Sequence, residues 1–129
     1  MSHKSRGINA ERDLIHKFWS QGWAALRAAG SGSSKYPSPD IVASNNVRKL
    51  AIEAKLTTEK KKYFTGKEIQ ELIIFAQRFG AEAWTAIKFY HQPWYFLSTE
   101  DLEATKSSYG VTLPLAQRRG LTFEEIITL

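Results

Sequence analysis

The sequence predicts an α/β protein, a mixed β-sheet flanked by helices, with elements in the order α-β-β-β-α-β-β-α. Three observations carry this reading. Apolar residues recur at helical spacing in two stretches, 8–21 and 66–79, each closed by a glycine. Short apolar runs at 23–28, 41–43, 50–56, 81–90 and 94–97 have the length and composition of strands. Two of the gaps between them, Ser44-Asn45-Asn46-Val47 and His91-Gln92-Pro93, carry turn chemistry and imply hairpins.

At 129 residues the chain reads as one domain, 1–129, long enough to bury a single core. Residues 1–7, with His3, Lys4 and Arg6, read as a flexible basic arm. A hydrophobic share of 43% with 24% charged residues is globular and excludes wholesale disorder. The absence of cysteine excludes disulfides, thiolate zinc sites and cysteine nucleophiles. No apolar run approaches the ~20 residues of a membrane span, and no signal-like segment opens the chain. The expectation is an intracellular protein with no membrane partner. Eighteen Lys and Arg against thirteen Asp and Glu leave a net charge of +5, which favours a polyanionic partner.

Taken in order, helix 8–21 puts Ile8, Leu14, Ile15, Phe18 and Trp19 at helical spacing, with Gly22 as its stop. Glu11 and Arg12 fall in its first turns. Glu11 borders the apolar stripe, as a carboxylate favoured by the helix N-terminus or as an acidic contact to a metal, and spacing alone favours the former. After strand 23–28, residues 29–39 hold two glycines, four serines, two prolines and Lys35, a donor-rich loop suited to phosphate. Residues 57–62 (T-T-E-K-K-K) present Lys60, Lys61 and Lys62 as a solvated turn or a DNA-backbone contact. Thr65 and Glu68 have capping-box spacing and open the second helix. Its Ile69, Leu72, Ile73, Phe75, Ala76 and Phe79 form an apolar surface wider than one core stripe needs, available to a second subunit. Strands 81–90 and 94–97 form the second hairpin, and the 94–97 strand is either part of that patch or ordinary core. A helix-cap pattern at 98–101 precedes a short turn. Residues 106–120 read as irregular, and Thr122 with Glu125 caps a terminal helical segment.

The segment Ser38 to Lys55 carries the chemistry. Side chains alternate along a strand, so Glu53 and Lys55 share one face, about 6.6 Å apart at Cα, with Leu50, Ile52 and Ala54 opposite. Asp40 returns from the partner strand. Two carboxylates beside a lysine suit a hard cation such as Mg²⁺, which takes oxygen ligands and keeps several waters. Lys55 could then steer water or stabilise charge on a phosphate. The plainer reading, a solvated strand face with a weak ion pair, stands beside it.

Several segments resemble archaeal Holliday junction resolvases. They are G-x-x-x-E-R-D-L at Gly7 to Leu14, L-R-A-A-G-S at Leu26 to Ser31, P-D-I-V-A at Pro39 to Ala43 and A-I-E-A-K at Ala51 to Lys55. F-A-Q-R-F-G at Phe75 to Gly80 and A-I-K-F at Ala86 to Phe89 continue the match in register over roughly residues 5–98. The resemblance implies the fold of the restriction-endonuclease-like PD-(D/E)xK nucleases. It implies a homodimer that nicks two strands of a four-way DNA junction in recombination and repair. It further implies dependence on Mg²⁺, with Mn²⁺ as a substitute, no small-molecule cofactor, and a cytoplasmic, nucleoid-associated location. Carried over by residue, Glu11, Asp40 and Glu53 match metal-binding carboxylates, Lys55 the catalytic lysine, and Ser31 a serine that assists the reaction. Arg12, Arg27 and Lys88 match basic DNA-facing positions, to which the sequence adds Ser31, Lys35, Lys60, Lys61 and Lys62. Two alternatives remain open at this point: a related repair or phage-type endonuclease acting on duplex or flap DNA, and a catalytically silent DNA-binding module.

Overall fold

The computed structural model describes residues 3–28 and 35–129. Its elements are α1 (His3–Ser20), β1 (Ala24–Arg27), β2 (Ile41–Ser44), β3 (Lys49–Thr57), β4 (Lys61–Thr65), α2 (Gly66–Phe79), β5 (Glu82–Phe89), β6 (Trp94–Leu97), β7 (Glu103–Ala104), β8 (Ser108–Thr112), α3 (Leu113–Arg119) and α4 (Phe123–Ile126). A 3-10 turn at Thr99–Asp101 links β6 to β7.

The main sheet has the order β1-β2-β3-β5-β6. Its β3–β5 pair is parallel and its other pairs antiparallel. Parallel strands cannot be joined by a tight turn, so β4 and α2 form the crossover. The β2–β3 hairpin is closed locally: Asn45 Oδ1 accepts the N–H groups of Val47 and Arg48 at 3.0 and 2.7 Å, and Asn46 takes φ 81°.

Alternation along β3 sorts its side chains. Leu50, Ile52 and Ala54 join Leu14 and Phe18 of α1 in one core. Ala51, on the other face, packs with Leu72 and Ala76 of α2. Glu53 and Lys55 share the Ala51 face by the two-residue period. A third cluster, including Phe64, Ile69, Ile87 and Val111, joins the main sheet to a smaller sheet of order β4-β8-β7.

Three expectations need correction. Helix α1 begins at His3 and not at Ile8, so residues 3–7 are helical, not an arm. No proline interrupts them, and Gly7 has open space beside it. Residues 61–65 are a strand, because their partner is β8, with Lys61 opposite Thr112 and Thr65 opposite Ser108. Residues 106–120, read as irregular, supply that β8 and then α3, which Thr112 caps by accepting the Leu115 N–H at 3.2 Å. Gly110 in β8 marks a close approach: a Cβ there would come within 2.8 Å of the Lys61 side chain and 3.1 Å of the Tyr63 ring.

The apolar surface assigned to α2 divides in two. Ile69, Leu72 and Ala76 are buried in the subunit's own core and so are not interface residues, whereas Ile73 (41%) and Phe79 (49%) are exposed. Phe75 is half-buried and stacks on Phe79, with ring centroids 5.0 Å apart. Trp94 and Phe96 are core.

Candidate active site

The site forms where β2 parts from β3. Ile41 is the last β2 residue paired with β3, opposite Ile52, so β3 continues past its neighbour. Asp40 occupies the fork and is fixed on both sides. Its carbonyl accepts the Ala28 N–H at 2.8 Å, its own N–H donates to the Ile52 carbonyl at 3.0 Å, and its Oδ2 accepts the Ala54 N–H at 2.9 Å. The side chain thus closes the hydrogen-bond ladder that β2 leaves open.

Glu53, next to Ala54, is half-buried among like charges. Burial, then the charge of Asp40, then that of Glu68 push its pKa up to about 9. Glu11 reaches the same cluster from α1. Burial and the charge of Asp40 raise its pKa to about 7, against the pull of Arg27, whose Nε donates to Glu11 Oε1 at 3.2 Å. Lys55 Nζ donates to Glu68 Oε2 at 2.9 Å. The other Glu68 oxygen accepts the Thr65 N–H at 2.8 Å as half of the α2 capping box. Burial works to raise the Glu68 pKa, but the Thr65 N–H and Lys55 outweigh it and hold it below the ordinary carboxylate value.

Glu11 and Lys55 also line a cleft of about 570 Å³. Lys4, Arg6, Lys62 and Lys88 add positive charge to its wall, and Tyr90 and His91 complete it. The cleft is thus mainly basic and lies beside a carboxylate cluster.

The expected residues distribute unevenly. Glu11, Asp40, Glu53 and Lys55 come together, and so, at the cleft, do Lys62 and Lys88. Arg27 pairs with Glu11 through its Nε and so stands at the edge of the carboxylate cluster. Lys61 points away from the cleft, pairing with Glu103 at 3.3 Å and lying over the Tyr63 ring, because neighbours on a strand face opposite ways. Lys60 lines a separate groove with Phe89 and Pro114. Arg12 and Lys35 are exposed, and Ser31 lies outside the described residues. Glu68 was legible only as a helix cap, since its second oxygen meets Lys55 through the fold. Lys4 and Arg6 reach the cleft because α1 extends to His3.

Among the described residues, no three carboxylates or imidazoles stand close enough to make a ready-formed metal cage. The donor set nevertheless fits a hard divalent cation. The oxygens are carboxylate, burial and then the charge of Asp40 raise the pKa of two of them, and Mg²⁺ uses few protein ligands.

The comparisons bear on this geometry directly. The family model described as "Archaeal holliday junction resolvase (hjc)" matches residues 2–129. The chain belongs to this family. A "Crossover junction endodeoxyribonuclease Hjc" of Archaeoglobus fulgidus is 42% identical over 129 residues, covering 95% of each chain. The protein of that name from Sulfolobus acidocaldarius is 30% identical, covering 98% of this chain and 90% of its own. The solved structure of A. fulgidus Hjc, described as a Holliday junction resolvase from an archaeal hyperthermophile, superposes with a TM-score of 0.86 at 39% identity. That match covers 93% of this chain and 98% of the other. Members of the resolvase family are named as endonucleases, and divalent-metal use accords with that class.

Proposed function

We propose that this protein is a Mg²⁺-dependent, structure-selective endonuclease. It nicks opposed strands of a four-way DNA junction, acts as a homodimer, and serves recombination and repair. One observation carries the reading: Glu11, Asp40, Glu53 and Lys55 act on one another's charge, with Glu11 and Lys55 lining a basic cleft, in a chain of the Holliday junction resolvase family. Asp40 and Glu53 would hold the cation, with Glu11 as a third carboxylate. When bound, it supplies charge neutralisation at the scissile phosphate and a water of lowered pKa.

The remaining work falls to the chain. Glu68 fixes the Lys55 ammonium, leaving donors for the phosphate oxygens. Lys62, Lys88, Lys4 and Arg6 bind backbone phosphates, which position DNA without reading its sequence. Paired incision of a twofold substrate calls for two sites related by a twofold axis. Exposed Ile73, Phe79, Trp19 and Leu26, with half-buried Phe75 stacked on Phe79, provide an apolar surface for such a dimer, and Phe79 shares an apolar groove with Trp19 and Leu26. Phe79→Glu should yield monomers by sedimentation.

Equimolar competition between a four-way junction and duplex of the same arms, with Mg²⁺ or Mn²⁺ and with chelator, tests the reading. Metal-dependent cleavage confined to the junction is expected. Equal cleavage of duplex would replace it with a general nuclease, and no cleavage at all with a binding module.

A further inference from the structure

The β5–β6 turn carries two features that neither core packing nor the carboxylate chemistry uses. Gln92 N–H donates to the Phe89 carbonyl at 2.9 Å, closing a four-residue turn with Tyr90 and His91 at its corners. His91 takes φ 60°, a conformation that turns usually assign to glycine or asparagine. Tyr90 is 65% exposed, and its ring centroid lies 3.9 Å from that of His91 at an interplanar angle of 48°. Lys88 Nζ donates to the Gln92 carbonyl at 2.7 Å and braces the turn from the strand before it. Two aromatic rings are therefore held in water by a fixed backbone, at the rim of the cleft that Glu11 and Lys55 line.

We propose that Tyr90 and His91 form a stacking platform for a nucleobase exposed at the branch point of a DNA junction. The inference rests on the nuclease reading above and deepens it by naming what distinguishes a junction from duplex. Aromatic faces beside a basic groove are the composition with which proteins hold unpaired nucleotides, and stacking ignores sequence because every base has a π-face. In continuous duplex the base faces are covered by their neighbours. At a branch point the stack is interrupted and a face becomes available. A platform beside the carboxylates would thus favour branched DNA without any base-edge contact. An apolar protein partner fits less well, because the surrounding wall is supplied by Lys4, Arg6, Lys55, Lys62 and Lys88.

The test is made without divalent metal, so that nothing is cut. Four-way junctions with 2-aminopurine at a branch-point position, and a continuous duplex of the same arms, are titrated with the full chain. Quenching of the probe by the wild-type protein and its loss in Tyr90→Ala are expected. Junction affinity should fall by about 5- to 150-fold, narrowing its margin over duplex. Tyr90→Phe, which keeps the π-face, should restore both readouts. His91→Gly, which suits the positive φ, should lose part of each. An unchanged junction-to-duplex ratio in Tyr90→Ala would overturn the platform, as would equal losses on both DNAs. Melting curves check that the variants are folded, and Tyr90 lies outside the core. Cleavage with Mg²⁺ is assayed separately. Its absence in the wild type, with Tyr90-dependent quenching intact, would remove the nuclease reading and leave the platform standing.

Discussion

The two ends of β3 treat carboxylates in opposite ways. At the start of the strand, Arg48 Nε and Nη2 donate to the two oxygens of Glu82 at 2.8 and 2.9 Å, and Trp84 Nε1 adds a third donor at 3.0 Å. Arg48 also donates to the Ile126 carbonyl and stands over the Trp23 ring, so one guanidinium joins the sheet to α4 and to the start of β1. The hydrogen bonds from Arg48 hold the Glu82 pKa below its usual value. Toward the far end, Asp40 and Glu53 are half-buried, and Glu53 is pushed up to about 9 by burial and by its acidic neighbours. The same residue type in the same sheet is stabilised at one end and destabilised at the other. Burying a carboxylate beside like charge costs stability, and such a cost belongs where binding will offset it.

The largest effect that would sharpen this contrast is on cleavage. Asp40→Asn or Glu53→Gln should lower the single-turnover nicking rate by about a thousandfold or more, since metal-ion catalysis supplies several kcal/mol. Junction binding should largely survive, because the basic wall is untouched. Next comes stability against pH. The folded Glu53 pKa of about 9 lies above its ordinary 4.5, so the folded state binds the proton more tightly. Stability is then lost as pH rises through that window. Glu53→Gln should remove the loss and exceed the wild type at pH 9 by on the order of 3 kcal/mol in chemical denaturation. At the other end the sign reverses. Glu82, with its lowered pKa, contributes stability at neutral pH that is lost as pH falls through the folded value. Arg48→Ala should cost about 2 kcal/mol and leave the nicking rate of the folded enzyme unchanged. The smallest effect is on salt dependence: Lys62→Ala should flatten the slope of log K against log salt on duplex arms by about 0.9.

How much of this was legible in the sequence depended on how local each interaction is. The β2–β3 hairpin was readable because Asn45 and Asn46 make the turn from within four residues. The Thr65–Glu68 box likewise closes within one helical turn. Asp40, Glu53 and Lys55 could be placed together because a hairpin and a two-residue period suffice to do it. Strand β4 could not, since Lys61 finds its ladder partner at Thr112. Arg48 meets Glu82 from 34 positions away, and Lys55 meets Glu68 across the crossover. Periodicity marked the apolar side of α2 but could not divide Ile69, buried against Phe64, from exposed Ile73 and Phe79. That division belongs to the small sheet, which the sequence did not reveal.

If the carboxylates at the β2–β3 fork hold a divalent cation, its charge should offset the cost of burying them beside one another. Thermal unfolding of the wild type and Glu53→Gln, each with chelator and with Mg²⁺ at pH 8, tests it most directly. With chelator, the variant should melt at the higher temperature. Adding Mg²⁺ should then stabilise the wild type, by about 2.7 kcal/mol at a hundredfold excess over Kd, and shift Glu53→Gln far less. Equal Mg²⁺ shifts in the two proteins, or a metal-free variant no more stable than the wild type, would contradict it.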